Sequence, residues 1–496
     1  MFGAVRCNYT LRYLRPTTSS SSSELSHGNR TIAEDGLRLI AEVAVPLKPG
    51  LELQPTQGHI AFGDADDEMW IMWTSAPTNE SVVKWGVAPG QLKNVVRGSA
   101  GTYKNTDMCH APANQTGQQN WIHPGSLHRV LLTGLPSDTT IYYSFGSPVG
   151  GMSVERSFNS KLPVGAQSRD TKFVAFGDQD WDDPPPASAT TMSNCLKDAL
   201  ELGYSDFVLH FGDLSYAMGT GTDWEMWARQ NEPLATRVPY MVSVGNHEMD
   251  YDTGGGRDPS CVTKPCPERG YHPSWGDYGT DSHGECGVPV AHRFRTPSNG
   301  NGVFWYSFDH GSVHVIQISS EHDLTPGSPQ YAWLKADLAA ADTPKRRLET
   351  PWIVLTLHRM VYAITAEGGE ASTMLGIRKS IEPLMRAHRV NLVLGGHQHS
   401  YERICAVYDG KCLPTGTPGT VYITAGTGGA GLYKYPPGVP IVGNYTLQAT
   451  ARWGYLRVAA SQTGALRVAF VDNLSGGEWD ELVLQQWPRG AAVEVK

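Results

Sequence analysis

The 496-residue chain has no apolar run approaching the roughly 18 residues that a membrane-spanning helix requires, so no membrane span is expected. It has no Cys-x2-Cys pair, which leaves structural zinc without its usual thiolate framework. No Gly-x-Ser-x-Gly elbow and no reactive-cysteine signature occurs, so a serine or cysteine nucleophile has no visible support. Basic residues are not in excess: 40 Lys and Arg stand against 49 Asp and Glu, for a net charge of −9. That balance argues against a nucleic-acid polymer as partner, because phosphate neutralisation needs a basic surface. A small anionic substrate would need local positive charge instead, which bound metal can supply. Heptad and solenoid repeats are absent, and residues 1–15 lack the apolar core of a secretory signal.

The composition, 40% apolar with scattered aromatics, is that of an ordinary globular protein with room for two or three domains. Asn-x-Ser/Thr sequons stand at Asn8, Asn29, Asn79, Asn114, Asn444 and Asn473, and eight cysteines admit disulfides. Cys261 and Cys266 form one close pair and Cys405 and Cys412 another, so local bridges are expected, with zinc binding by these thiols the weaker alternative. These features point to a secretory-route protein, extracellular or vacuolar/lysosomal, whose own amino terminus lies upstream of this sequence.

Residues 1–57 read as an N-terminal remnant and linker, marked by the serine run at 19–23. From 58 to 165, short strand signals such as "MWIMWTS", "SVVKWGV" and "HRVLLTGL" alternate with Pro, Gly, Asn and Ser. Strands without intervening helices predict an antiparallel β-sandwich. From 170 to 496 the pattern becomes apolar runs followed by loops and helical segments at 187–203 and 330–341, an α/β layout with buried strands and C-terminal strands at about 418–485.

Polar residues gather at the ends of those runs. "FGDQD" delivers Asp178, "FGDLSYA" Asp213 and Tyr216, "VGNHE" Asn246 and His247, "LTLH" His358, and "GGHQH" His397 and His399. Singly each has a plain structural role: a helix cap, a turn former, or a His-x-His pair facing water. The carboxyl ends of strands in an open α/β sheet converge on the ligand site, however, and five such motifs in order are poorly explained as independent turns. Carboxylates, imidazoles, an amide oxygen and a phenol without thiolate suit iron, manganese or zinc. The donors are too many for one ion, and two ions bridged by a carboxylate is the economical arrangement.

The ordered series resembles the metallophosphoesterase superfamily, and Tyr216 after Asp213 resembles the purple acid phosphatases in particular. "TYKNTDMC", "ECGVPV" and "FWYSFDHGSVHVIQISSEHD" are similar to larger plant-type members, nearest the nucleotide pyrophosphatase/phosphodiesterase-like branch. The resemblance implies a fibronectin type III-like sandwich followed by a layered α/β/β/α catalytic domain. It implies a ferric ion held by Asp178, Asp213, Tyr216 and His399, and a divalent zinc, manganese or iron held by Asn246, His358 and His397, with Asp213 shared. His247 matches the family's substrate-side histidine, able to hydrogen-bond phosphate or protonate the leaving oxygen, or else to orient Asn246.

Two departures stand out. Asp180 occupies the usual glycine position two residues after Asp178, where a side chain could crowd the turn or add a carboxylate. After His358, "HRMVYAITAEGGE" lacks the paired histidines of plant high-molecular-weight phosphatases, and Glu367 occupies that region. Asn246, His247, Arg359 and Glu367 are the candidate substrate contacts. For Arg359, as for Tyr401, Glu402 and Arg403, a structural ion pair is the competing and preferred reading. Trp224 and Trp227 are read as packing residues.

The expected activity is hydrolysis of phosphate monoesters by hydroxide generated at the binuclear centre, with an acidic optimum and a small phosphorylated substrate. The alternatives are a nucleotide pyrophosphatase/phosphodiesterase with the same metals, and a catalytically silent metal-binding or interaction protein. A homodimer is admitted.

Overall fold

The computed structural model describes residues 9–16, 37–45, 53–117, 120–181, 187–249, 258–261, 280–363, 370–414, 416–433 and 445–487. The serine run, the sequons at Asn8, Asn29 and Asn444, Cys266 and Glu367 lie outside the described residues. Within the N-terminal region, read from sequence as a remnant and linker, Tyr9–Pro16 and Leu37–Val45 pair as a two-stranded antiparallel sheet.

The β-rich unit that follows is built from two antiparallel sheets. Thr56–Phe62, Met69–Ser75, Ser126–Leu132 and Ser99–Gly101 form one, and a second centres on Thr140–Ser147, paired with Val82–Gly86 and Arg156–Asn159. Their inner faces meet where Trp73 packs on Phe145, ring centroids 5.3 Å apart. This is the sandwich that the alternation of short strands predicts.

The second unit contains two mixed sheets. In the first, β1 (Thr171–Phe176), β2 (Val208–Phe211) and β3 (Tyr240–Ser243) run parallel. In the second, β4 (Tyr306–His310) pairs antiparallel with β5 (Val313–Gln317), which leads parallel through β6 (Trp352–Thr356) and β7 (Leu392–Gly395). Then β8 (Tyr401–Tyr408) and β9 (Val421–Ala425) extend this sheet, β9 lying parallel beside β7. The last strands, β10 (Gly454–Ala460), β11 (Leu466–Asp472) and β12 (Glu478–Leu484), return to the first sheet, with β10 antiparallel to β1.

Residue parity sets the layering. Successive strand side chains point to opposite faces. Phe173, Ala175, Leu209 and Met241 of the first sheet share a core with Val315, Val354, Leu392 and Ile423 of the second, so the two sheets pack face to face. Their neighbours Val174, Phe176, Val208 and Val242 point outward onto α1 (Ala187–Glu201) and α2 (Gly221–Ala235), through Met192, Trp224 and Trp227. Ile316, Ile353, Leu355 and Val393 point outward onto α3 (Pro329–Ala341) and α4 (Glu370–Ala387), through Leu334, Leu338, Ile377 and Ile381. The result is the α/β/β/α arrangement, with both expected helices present. Trp224 and Trp227 are 1% and 2% exposed, which fits packing rather than a stacking platform.

The seam between the two units is buried and polar. Arg293 donates to Glu225 Oε1 at 2.9 Å and to Gln57 Oε1 at 3.1 Å, while Tyr143 Oη donates to the Thr236 carbonyl at 2.7 Å. Cys109 and Cys286 form a disulfide across it, a link 177 residues apart in sequence that local cysteine spacing could not disclose. The expected Cys405–Cys412 bridge is present, and Cys261 is disulfide-bonded. Cys195 is a buried free thiol. Asn79 is exposed, but Asn473 is 9% exposed and its Nδ2 donates to Thr191 Oγ1 at 2.6 Å, so that sequon has no room for a glycan in the folded chain.

The strand ends that carry the sequence motifs turn through left-handed backbone. Asp178, Asp180, Asp213, Tyr216 and His397 have φ of 60°, 59°, 52°, 49° and 66°. A non-glycine residue in that region costs about 1–2 kcal/mol, so burial and hydrogen bonding must hold each one. Asp180 supplies part of its own support, because its Oδ1 accepts the Trp181 N–H at 2.6 Å. Replacing it by glycine relieves the backbone and removes that acceptor. Asp180→Gly should therefore change unfolding free energy by less than about 1 kcal/mol; a thermal-denaturation loss of more than about 2 kcal/mol would contradict this balance.

Far from those turns, His314 lies between Asp309 (Nδ1 to Oδ1, 2.8 Å) and Asp337 (Nε2 to Oδ2, 2.9 Å). Burial opposes its charge, but these two carboxylates outweigh burial and raise its pKa from 6.5 to about 9. A raised pKa contributes stability that is complete below pH 6.5 and disappears as pH climbs through 9. The melting temperature of the wild type should fall over that interval more steeply than that of His314→Gln; parallel pH profiles would exclude the clamp as a contributor.

Candidate metal centre

The left-handed turns aim the predicted donors into the space above the facing sheets. After β1, Asp178 is fully buried, and its Oδ2 accepts the backbone N–H of His397 at 2.8 Å. After β2, Asp213 is 1% exposed, and its Oδ1 accepts the backbone N–H of His247 at 3.0 Å. Two glycines make room for these carboxylates. A Cβ on Gly396 would stand 2.3 Å from Asp178 Oδ2, and one on Gly245 would stand 2.3 Å from Asp213 Oδ1.

Two groups of potential ligands result, and Asp213 belongs to both. Asp178, Asp213 and His399 present donor atoms within 4.8 Å of one another, as do Asp213, His358 and His397. Tyr216 Oη joins the first, at 2.8 Å from His399 Nε2 and 3.1 Å from both Asp178 Oδ1 and Asp213 Oδ2. Asn246 Oδ1 joins the second, at 2.9 Å from both His358 Nε2 and His397 Nδ1. The structure thus brings together every donor that the sequence reading nominated.

The donor chemistry fits cations. The His358 Nδ1 faces the Phe211 carbonyl at 3.0 Å and the His399 Nδ1 faces the Gly431 carbonyl at 2.6 Å, so each ring turns Nε2 toward the centre. That orientation is the one outer-shell carbonyls impose on metal-ligating imidazoles. His358 Nε2 there meets Asn246 Oδ1 and Asp213 Oδ2, the latter at 3.2 Å. Burial disfavours charge on His358, yet the Asp213 and Asp178 carboxylates raise its pKa to about 10. The cluster demands positive charge, from protons or from metal. Asp213 responds in the opposite sense: burial would raise it, but His358 and His247 hold it well below the usual carboxylate range.

His247 stands beside the centre. Its ring lies 4.4 Å from that of Tyr216, its Nε2 is 3.9 Å from Asp213 Oδ2, and its buried Nδ1 has no hydrogen-bond partner among the described residues. Arg359 is 1% exposed; its Nε donates to both oxygens of Glu321 at 3.1 Å and its Nη1 lies 3.0 Å from His397 Nε2. It is a buried ion-pair residue, as preferred from sequence, though it touches the centre. Tyr401 and Arg403 both donate to Asp480, at 2.6 Å, and serve the join between sheets.

Three acidic residues that the sequence reading passed over support the donors. Glu248 Oε2 accepts the Asp213 and Gly245 N–H groups at 2.9 Å, and Oε1 accepts Leu214 N–H at 2.8 Å. Its place in "GNHE" was the available signal. Asp281 Oδ2 accepts Asn246 Nδ2 at 3.1 Å, which turns the amide oxygen inward, and Glu321 anchors Arg359. Asp281 comes from a loop with no local pattern to mark it, and Glu321 lies near the end of "FWYSFDHGSVHVIQISSEHD", a segment that marked the resemblance without marking this residue.

Comparison with known proteins agrees with this geometry. Residues 55–160 match the purple acid phosphatase N-terminal domain and residues 172–401 the calcineurin-like phosphoesterase model. The chain is 31% identical to probable inactive purple acid phosphatase 1 of Arabidopsis thaliana, over 87% of this chain and 69% of the relative. It is 28% identical to a nucleotide pyrophosphatase/phosphodiesterase of Hordeum vulgare, over 65% of this chain and 85% of the relative. The solved structure of a purple acid phosphatase from yellow lupin (Lupinus luteus) seeds superposes with a TM-score of 0.75 at 28% identity, covering 90% of this chain and 77% of that one. With the β-rich unit, the facing mixed sheets and the paired donor groups all in this pattern, the chain belongs to the purple acid phosphatase family.

Proposed function

We propose that the protein is an acid phosphatase that hydrolyses phosphate monoesters at a binuclear centre. The observation that carries this reading is the sharing of the Asp213 carboxylate between two complete donor groups, one of which includes a phenol. Asp178, Asp213, Tyr216 and His399 would hold a ferric ion, and Asp213, Asn246, His358 and His397 a divalent zinc, manganese or iron. When bound, such a pair supplies Lewis acidity, charge neutralisation for the phosphoryl oxygens and acidification of water.

The chain's own residues have separate tasks. The Phe211 and Gly431 carbonyls fix the tautomers of His358 and His399, and Asp281 fixes the Asn246 amide. Asp213 is held in its ionised form by His358, whose Nε2 is 3.2 Å from Oδ2, and by the His247 N–H that Oδ1 accepts. His247, 22% exposed, is the group placed to meet a phosphoryl oxygen and to hold or deliver a proton at Nε2. Its buried Nδ1 has no hydrogen-bond partner among the described residues, so the ring is not locked to a protein acceptor. The Arabidopsis relative's description as probable inactive weighs against turnover, and the intact donor set weighs for it. A phosphodiesterase or nucleotide pyrophosphatase reading is the second choice, supported by the barley relative. The Cys109–Cys286 and Cys405–Cys412 disulfides support a secreted or vacuolar location.

Metal analysis of the purified protein should give about two metals per chain including iron. A visible charge-transfer band should be present in the wild type and absent from Tyr216→Phe; an iron-loaded wild type without the band would remove the phenolate from the centre. A nitrophenyl monoester should be hydrolysed faster than the bis-ester, and the reverse order would favour the phosphodiesterase reading. Asp281→Ala, at a side chain 39% exposed, should leave the fold intact and weaken the divalent metal about 10–100-fold in a competition titration. Unchanged affinity would show that Asn246 needs no outer support.

A further inference from the structure

Two large cavities lie between the sandwich and the catalytic unit, and their charge chemistry is opposite. One, of about 350 Å³, is lined by Asp64, Asp66, Asp309 and Asp337 together with Lys161, Arg346 and His314. Its cations are all paired internally: Lys161 with Asp66 at 2.9 Å, Arg346 with Asp309, and His314 with Asp309 and Asp337. It offers an anion no uncommitted cation.

The second cavity, of about 340 Å³, is lined by Arg129, His292 and Arg295, with Thr102, Leu127 and Ala291, and no carboxylate among its described lining. Arg129 donates through Nε to Ser99 Oγ at 3.1 Å and leaves both Nη groups without an acceptor among the described residues. Arg295 uses only Nη1, on the Ala291 and Phe294 carbonyls at 2.9 and 2.7 Å. Neither guanidinium has an ion pair among the described residues. The nearby acid, Asp107, is engaged by the Lys104 backbone N–H at 2.7 Å. In a chain of net charge −9, two guanidinium groups that lack an ion pair among the described residues face one cavity, with Asp107 acting on the His292 imidazole beside them.

We infer that this cavity is an anion site, separate from the metal centre, that takes a phosphate dianion or the terminal phosphoryl group of a phosphate ester. Guanidinium forks suit a multiply charged tetrahedral oxyanion, which can accept several N–H groups at once. Thr102 and His292 complete a polar wall, and Leu127 and Ala291 bound the cavity on its apolar side. Because Arg129 comes from the sandwich and Arg295 from the catalytic unit, an anion held by both would also tie the two units together.

Equilibrium dialysis of the full holoprotein against radiolabelled inorganic phosphate tests this. The wild type should bind phosphate at two sites per chain, and Arg129→Gln/Arg295→Gln should lose one of them, with affinity there falling about tenfold or more. Arg129→Lys/Arg295→Lys should retain binding within about tenfold, which separates lost charge from lost fold. In Asp213→Asn the arginine-dependent site should persist; if both sites persist there, the metal-centre reading fails and this one stands. A phenyl phosphonate that occupies the arginine-dependent site as well as phosphate identifies a phosphoryl ester as an accepted ligand, whereas exclusion of the phosphonate assigns the site to free phosphate. A wild type whose phosphate binding is unchanged by the glutamine pair overturns the inference.

Discussion

The carboxylate of Asp213 answers to two donor groups at once, and much of the α/β unit is arranged to let it. A buried charge shared in this way needs fixed geometry and an opposing charge, or burial would neutralise it. Geometry comes from Glu248, which accepts backbone N–H groups from the turns after both β2 and β3, and from Gly245, whose missing Cβ leaves Oδ1 its space. Opposing charge comes from His358, raised to a pKa of about 10 by the carboxylates it faces. Burial and the Asp213 charge in turn push Glu248 up to about 8, so the brace sits in the same field as the group it holds.

That arrangement depends on the two sheets facing each other. Asp178 and Asp213 leave the first sheet, while His358, His397 and His399 leave the second. Neither sheet alone carries all the members of either donor group, so the apolar contact between Phe173, Leu209 and Met241 on one side and Val315, Val354 and Leu392 on the other is what brings the donors within reach. The same apolar core continues into the sandwich through Phe62 on Phe308, ring centroids 5.3 Å apart. The β-rich unit is therefore part of the platform beneath the centre.

The sequence disclosed this centre because its signals are local: an apolar run, a glycine, then a polar residue at a strand end. The same locality explains what was hidden. Asp281 and Glu321 act through contacts with Asn246 and Arg359, distant in sequence, and neither stands in a repeating pattern. The Cys109–Cys286 link depends on the packing of one unit against the other, so spacing pointed only to neighbouring pairs. Asp180 stood out as a source of crowding or of an added carboxylate because the resemblance placed glycine there. The left-handed φ of 59° shows why glycine suits the position, and the Trp181 N–H shows how an aspartate is tolerated. Asn473 matched a glycosylation pattern while its amide was committed to the interior, a distinction that only burial makes visible.

Strand β1 carries Asp178 at its end, with β2 on one side and β10 on the other. The partner of Val174 on that second side is Arg457, close to the end of the described chain. During ribosomal synthesis, β1 thus emerges long before the neighbour that completes its hydrogen bonding. The donors up to His399 can all be outside the ribosome while the strand that presents the first of them still has an open edge. A message truncated after the last histidine motif would encode every donor and still yield a chain whose central strand keeps one open edge, a substrate for chaperones or aggregation.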